Sequence, residues 1–142
     1  MAIRYQESLK GVSAGRLTGF FVGWPKPPSA ASHLKLLKGS DLVVLAADDE
    51  TGRVVGFITA ITDNVLSAYI PFLEVLPEYQ GRGIGRALVR RMLAKLKKAY
   101  MVDLLCDQDL QPFYKSLKMF PAAGMMLRNY RCQSGSRIQP AK

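Results

Sequence analysis

The chain is poor in the residues that make a stapled or metal-bound protein. Of its 142 residues two are cysteine, Cys106 and Cys132, and one is histidine, His33. Neither cysteine stands in a CxxC or metal-ligand spacing, so a disulfide scaffold is excluded and no metal is expected. No apolar run approaches the roughly twenty residues of a membrane span, and the opening MAIRYQESLKG has no signal-peptide core. A soluble protein of the reducing cytoplasm, without a membrane partner, is the expectation. Internal repeats are absent too. At this length, with 49% hydrophobic residues, the chain can build a single core, and one domain over 1–142 is expected, with 133–142 a frayed polar tail.

Acid is missing where base is densest. Between Tyr79 and Lys98 there are seven Lys or Arg and no Asp or Glu, in a chain of net charge +9. The excess lies late: residues 1–60 hold seven basic and five acidic side chains, residues 61–142 thirteen and six. Such a field draws nucleic acid, an anionic surface or a small polyphosphate, and net charge does not choose among them.

What is present reads as alternating strands and helices. A short strand near Ile3 and a weak helix after it precede GWPKPPSAAS, whose three prolines around Trp24 make a loop. HLKLLKG is a short helix ended by Gly39. Two β-rich runs joined by Asp48 to Gly52 read as a hairpin. VLSAYIPFLEVL is a third long strand, and Pro71 inside it implies a bulge or an edge. From Ile84 the apolar residues Leu88, Met92 and Leu96 recur at helical spacing with Arg86, Arg90, Arg91 and Lys95 opposite, a long amphipathic helix. YMVDLLCD reads as a buried strand completing a βαβ crossover. LQPFYKSLKM is a short helix with Pro112 in its first turn, and AAGMMLRNY a last strand with Met125 and Met126 in the core. His33 reads as a surface or satisfied residue.

The sequence QGRGIG, Gln80 to Gly85, opens the basic helix. As a dinucleotide fingerprint it fails, since the third glycine would be Arg86 counted from Gly81 and Leu88 counted from Gly83; the P-loop string GxxxxGK[ST] is absent. A tight structural turn is one reading, but Arg82 and Arg86 at a helix N-terminus oppose the macrodipole unless an anion faces them. A phosphate cradle of backbone N–H groups is the other.

VLPEYQGRGIGRALVRRML resembles the acetyl-CoA-binding motif of the GCN5-related N-acetyltransferases, a valine followed within a few residues by [RQ]xxGx[GA] at the head of a long helix. The order of elements over nearly the whole chain, and FY in the later helix, resemble the family as well. The resemblance implies an α/β fold with a central, mostly antiparallel sheet, splayed after the fourth strand and flanked by helices. It implies that Gln80, Gly81, Arg82, Gly83, Ile84, Gly85 and Arg86 hold the diphosphate of coenzyme A. The main chain at Leu73 and Val75 would pair with the pantetheine arm. Tyr114 would be the general acid that protonates the departing thiolate and would also touch the cofactor. Glu74, the one acid of the long strand, is a candidate base, although strand alternation can aim it away from the slot. Trp24 and Tyr69 are candidate acceptor-binding residues. Two positions depart from the pattern: Gln108 stands where the family has asparagine, and Lys118 where it has glycine.

The function this implies is transfer of acetyl from acetyl-CoA to a primary amine of a small molecule or peptide, by direct attack in a ternary complex. A basic nucleic-acid-binding module is the rival from another class. It explains the charge but not the spaced glycines, and no RRM, KH or zinc-finger string appears, so nucleic acid is not the expected partner. A third reading is a non-catalytic acetyl-CoA sensor. Pairing through the terminal strand would give a homodimer.

Overall fold

Val44, Leu45, Val54, Val55, Phe57 and Ile58 are all fully buried, because the two runs they belong to are covered on both faces. The computed structural model describes residues 2–140. Five strands, β1 (Ile3–Gln6), β2 (Leu42–Asp48), β3 (Val54–Thr62), β4 (Ser67–Val75) and β5 (Met101–Asp103), form one sheet in that order. The first four pair antiparallel and β5 runs parallel to β4. Three helices complete the frame: α1 (Ala30–Gly39), α2 (Ile84–Lys95) and α3 (Gln111–Lys115). The mixed, mostly antiparallel α/β architecture is the one the sequence implied.

Two of the helices start for a visible reason. Ser29 caps α1, its Oγ accepting from the N–H of Ser32 at 3.1 Å. α3 carries Pro112 in its first turn. α2 buries Ile84, Leu88, Val89 and Met92 against the sheet. Gly56 of β3 lets it approach: a methyl there would sit 3.1 Å from Leu88. On the opposite face, Phe20 and Phe21 pack with α1 against Phe57. Among the described residues no helix is long and apolar enough to cross a membrane.

Pro71 does mark a bulge. Thr59 pairs with Phe72 and Ile61 with Tyr69, so Ile70 and Pro71 together face one residue of β3, Ala60. The β4–β5 ladder covers only Ser67↔Met101, Ala68↔Val102 and Tyr69↔Asp103. Beyond Tyr69 the two strands part.

Three expectations about these elements are corrected. The weak helix after β1 is only a 3-10 turn, Ala14–Arg16, because glycines at 11, 15 and 19 favour turns over a continuous helix. The buried strand at 100–107 shrinks to three residues with Met101 exposed, since β5 has a neighbour on one side alone. No strand forms at 122–130, and Met125 and Met126 are 96% and 66% exposed rather than in the core. A strand exists only with a partner, and the described chain offers this segment none. The expected tail, 133–142, includes residues 141 and 142, which lie outside the described ones; at its start, Gln133 Oε1 accepts from the N–H of Lys26 at 2.8 Å.

His33 is neither exposed nor satisfied. It is 1% exposed, both ring nitrogens lack a hydrogen-bond partner among the described residues, and the rings of Phe20, Phe21 and Phe57 surround it at 5.2, 4.9 and 4.4 Å. Burial among apolar rings disfavours the imidazolium and lowers its pKa from 6.5 to about 4. The unfolded chain therefore binds a proton that the folded one refuses, so stability is full above pH 6.5 and declines as pH falls towards 4. The difference amounts to about 3 kcal/mol at its limit. Denaturant titrations of the native protein and His33→Leu across this window should show the loss in the native protein and its absence from the variant; parallel curves would remove His33 as the cause.

Candidate active site

The parting of β4 from β5 leaves an edge of β4 open, and the ladder with β3 decides which groups line it. Leu76 N–H donates to Val55 C=O at 2.8 Å, which makes 76 and 55 a hydrogen-bonded pair. In an antiparallel ladder such pairs alternate with non-bonded ones. Val75 opposite Gly56 and Leu73 opposite Ile58 are then non-bonded pairs, and their N–H and C=O groups face the open edge. One of these groups is occupied, since Gln80 Nε2 donates to Val75 C=O at 2.9 Å.

Beyond β4 the chain makes a 3-10 turn, Pro77–Tyr79, tied to the rest of the protein at both ends. Tyr79 Oη donates to Asp48 Oδ2 at 2.7 Å, and Arg53 Nη1 reaches Glu78 Oε1 at 3.1 Å. The Tyr79 bond, followed by the backbone bond from Glu50, holds the Asp48 carboxyl below its usual pKa. Gly81 and Gly83 then take φ of 77° and 82°, the left-handed region where a side chain would be strained. A Cβ at either position would meet nothing within 4 Å, so the space in front of the loop is open. Gly83 caps α2 with no side-chain bond and no acid in the first turn. The first N–H groups of α2 lack intrahelical acceptors and face outward with the positive end of the dipole.

The arginines here are positioned. Arg86 Nη2 donates to Ser116 Oγ at 2.9 Å, and its guanidinium lies 5.7 Å from the Phe113 ring centre. Arg82 lies 5.6 Å from that of Tyr79. Gly85 sits where α2, β4 and α3 meet, with an added methyl falling 3.8 Å from Val75 and 3.9 Å from Phe113. The structure therefore gathers Leu73, Val75 and the Gln80–Arg86 loop around one edge, with α3 beside them.

Tyr114 of α3 is half-buried, its ring 4.9 Å from that of Phe113, and its hydroxyl makes no hydrogen bond among the described residues. Burial first, and Cys106 second, push its pKa up to about 12. It faces a cavity of about 470 Å³ that Tyr69 and Cys106 also line and that the glycine loop does not reach. The turn closing α3 is sharp: Lys118 takes φ of 69°, and Met119 N–H donates to Tyr114 C=O at 3.2 Å. Lys118 thus holds the conformation that a glycine adopts without strain. The departure from the family pattern at this position changes the residue and keeps the turn.

Glu74 and Trp24 stand on the other face of the sheet. Glu74 Oε1 accepts from Phe21 N–H at 2.8 Å and Oε2 from Val22 N–H at 3.2 Å, holding Phe21 at φ 61°. Trp24 packs 5.0 Å from Phe21 and is 38% exposed. Sequence reasoning missed the tie from Glu74 to this turn, the Arg86–Ser116 bond and the Tyr79–Asp48 anchor. Each joins residues at least 30 apart, and no local spacing announces them. Replacing Glu74 by Ala should leave two backbone donors unpaired and release a strained turn. A loss of about 2 kcal/mol in denaturant unfolding, with fluorescence of the single Trp24 shifted, is expected; an unchanged midpoint would mean that the carboxylate holds nothing.

A model of the acetyltransferase (GNAT) family matches residues 11–119. The crystal structure of a protein of Deinococcus radiodurans R1 assigned as an acetyltransferase superposes with a TM-score of 0.92 at 42% identity, covering 95% of this chain and 94% of that one. An uncharacterised N-acetyltransferase of Pyropia yezoensis is 29% identical over 99 residues, 68% of this chain and 57% of its own. A chloroplastic serotonin N-acetyltransferase of Oryza sativa subsp. japonica is 31% identical, with 79% of this chain and 58% of that protein covered. The chain thus spans little more than half the length of these two curated relatives.

Proposed function

The chain belongs to the acetyltransferase (GNAT) family, and from that premise we propose that it moves acetyl from acetyl-CoA to a primary amine of a small molecule or peptide by direct attack in a ternary complex. The observation that carries this reading is the open edge of β4 at Leu73 and Val75 running into the glycine-rich head of α2. The residues present fit the donor. The space before Gly81 and Gly83 is open, so a bulky group can approach the backbone where a Cβ would protrude. The first N–H groups of α2, which have no intrahelical acceptor, suit a diphosphate, and Arg86, fixed by Ser116, adds a charge-assisted contact. Leu73 and Val75 offer main-chain groups to an amide-bearing arm, as a sheet edge does to an added strand.

When bound, acetyl-CoA supplies a thioester carbonyl that a neutral amine can attack and a sulfur that must leave as a thiol. The N–H of Val75, on the open edge, is the nearest main-chain candidate to stabilise charge on a carbonyl oxygen there. With the donor bound, Tyr114 would give its phenolic proton to the departing sulfur, and the proton released from the amine nitrogen would return to Tyr114 by way of water. A pKa of about 12 keeps Tyr114 protonated at any working pH. An ordinary thiol near 8.5 lies about 3.5 units below, so a free phenolate would be about 5 kcal/mol uphill. The transfer is therefore coupled to deprotonation of the amine. Glu74 can take that proton only while keeping Phe21 and Val22 in place, and water is the better acceptor. Trp24 and Tyr69, both partly exposed, are the residues this reading assigns to the acceptor.

Replacing Tyr114 by Phe should lower turnover roughly 10- to 1000-fold, as loss of a general acid does, with coenzyme A binding kept; undiminished turnover would reject the assignment. Coenzyme A at a hundred times its dissociation constant should stabilise the protein by about 2.7 kcal/mol, and the effect should survive salt between about 50 and 200 mM, where backbone-phosphate binding to nucleic acid collapses. Stabilisation without thiol release across an amine panel would make the chain a sensor.

A further inference from the structure

A second cavity, of about 190 Å³, borders the first turn of α1. Leu17, Phe20, Phe21 and Pro28 give it apolar walls, and Ser29, Ala30 and His33 of the helix start line it as well. The acetyl transfer makes no use of it. A cavity of roughly 150 Å³ with apolar walls accepts a benzene ring, so a six-membered ring with a small substituent fits here.

Two unmet hydrogen-bonding groups converge on it. His33 is 1% exposed with both ring nitrogens unpartnered among the described residues; a neutral imidazole carries one N–H, and burying it without an acceptor is costly. Helical side chains lean towards the N-terminus, so the His33 ring lies over the turn of Ser29 and Ala30, three and four residues before it. There the Ala30 N–H also gives no hydrogen bond among the described residues, whereas Ser29 accepts from the N–H groups of Ser32 and His33. No acid stands in this first turn, so the positive end of the helix dipole is unopposed.

The surrounding charge favours an anion. Arg53 Nη2 donates to the C=O of Thr18, another residue of the cavity wall, at 3.1 Å, and its buried Nε has no partner among the described residues. Glu74, which the Phe21 backbone holds close, has both oxygens spent on the N–H groups of Phe21 and Val22. Water would meet the polar groups and leave the phenylalanine walls wet, while a hydrocarbon would meet the walls and leave the polar groups unpaired. An aromatic carboxylate meets both.

We infer that this cavity is a binding site for a small aromatic carboxylate, one oxygen accepting from the imidazole N–H of His33, the other facing the Ala30 N–H, and the ring packed on Phe20 and Phe21. The site is separate from the open edge of β4, since it belongs to the sheet face that carries Phe57 and Glu74, and it stands whether or not acetyl is transferred. Its occupant touches Phe21, whose ring is 5.0 Å from that of Trp24, so binding is visible in the single tryptophan.

Benzoate, titrated into the native chain at constant ionic strength, should bind one to one, shift Trp24 fluorescence and move the imidazole nitrogen resonances of His33, which are unambiguous in a chain with one histidine. Benzamide keeps the ring and loses the charge, and should bind roughly tenfold more weakly or worse, as loss of a charge-assisted hydrogen bond implies. His33→Phe keeps an aromatic ring and should weaken benzoate by about tenfold or more. Ala30→Pro removes one N–H at a helix position that tolerates proline and should weaken it several-fold. Unmoved His33 resonances, benzamide binding as tightly as benzoate, or either variant binding benzoate as the native chain does would each overturn the inference. The benzoate and benzamide titrations use the native chain, so a variant that fails to fold leaves the inference decidable.

Discussion

Between Tyr69 and Val75 the fourth strand keeps a neighbour on one side only, and the candidate site follows from that missing pairing. Two residues opposite one at Ile70 and Pro71 bend β4 away just where the ladder with β5 ends. Main-chain groups that an uninterrupted sheet would consume at Leu73 and Val75 are left on an edge. The same divergence leaves space beside β5 where α3 presents Tyr114.

An open edge is useful only if what surrounds it is stiff. The turn ahead of α2 is held by Tyr79 to Asp48, Arg53 to Glu78 and Gln80 to Val75, three bonds that reach different parts of the sheet. Against that frame the two left-handed glycines can keep their N–H groups aimed outward. No acid occupies the first turn of α2 to quench the dipole, and Arg86 is turned to Ser116 and Phe113 rather than folded over the helix start. On the far face Glu74 does a similar service for the strained turn at Phe21 that carries Trp24. Strain at Phe21 and Lys118 persists because neighbouring bonds over-determine both turns.

Parts of this were legible in the chain and parts were not, for reasons that differ by element. The hairpin and α2 could be read because their signals are local: apolar alternation, a turn composition, a helical stripe. Pro71 announced its bulge because a missing N–H forces one. His33 misled, since a lone histidine in a short helix gives no hint that three phenylalanine rings, two of them from the turn before α1, will close over it. Glu74 could be placed in a strand but its bond to residues more than 50 positions earlier could not. Met125 and Met126 have strand composition, yet composition cannot create the neighbour that a strand needs.

By itself the sequence determined the order of elements from the hairpin to α3 and the glycine loop at the head of a basic helix, because these depend on backbone freedom and on spacing within one segment. Only the tertiary structure decided how long β5 is, which edge of β4 lies open, where Glu74 is spent and that the last segment stands unpaired. Those outcomes depend on which distant backbones come within hydrogen-bonding distance, and loop closure across scores of residues leaves no local trace.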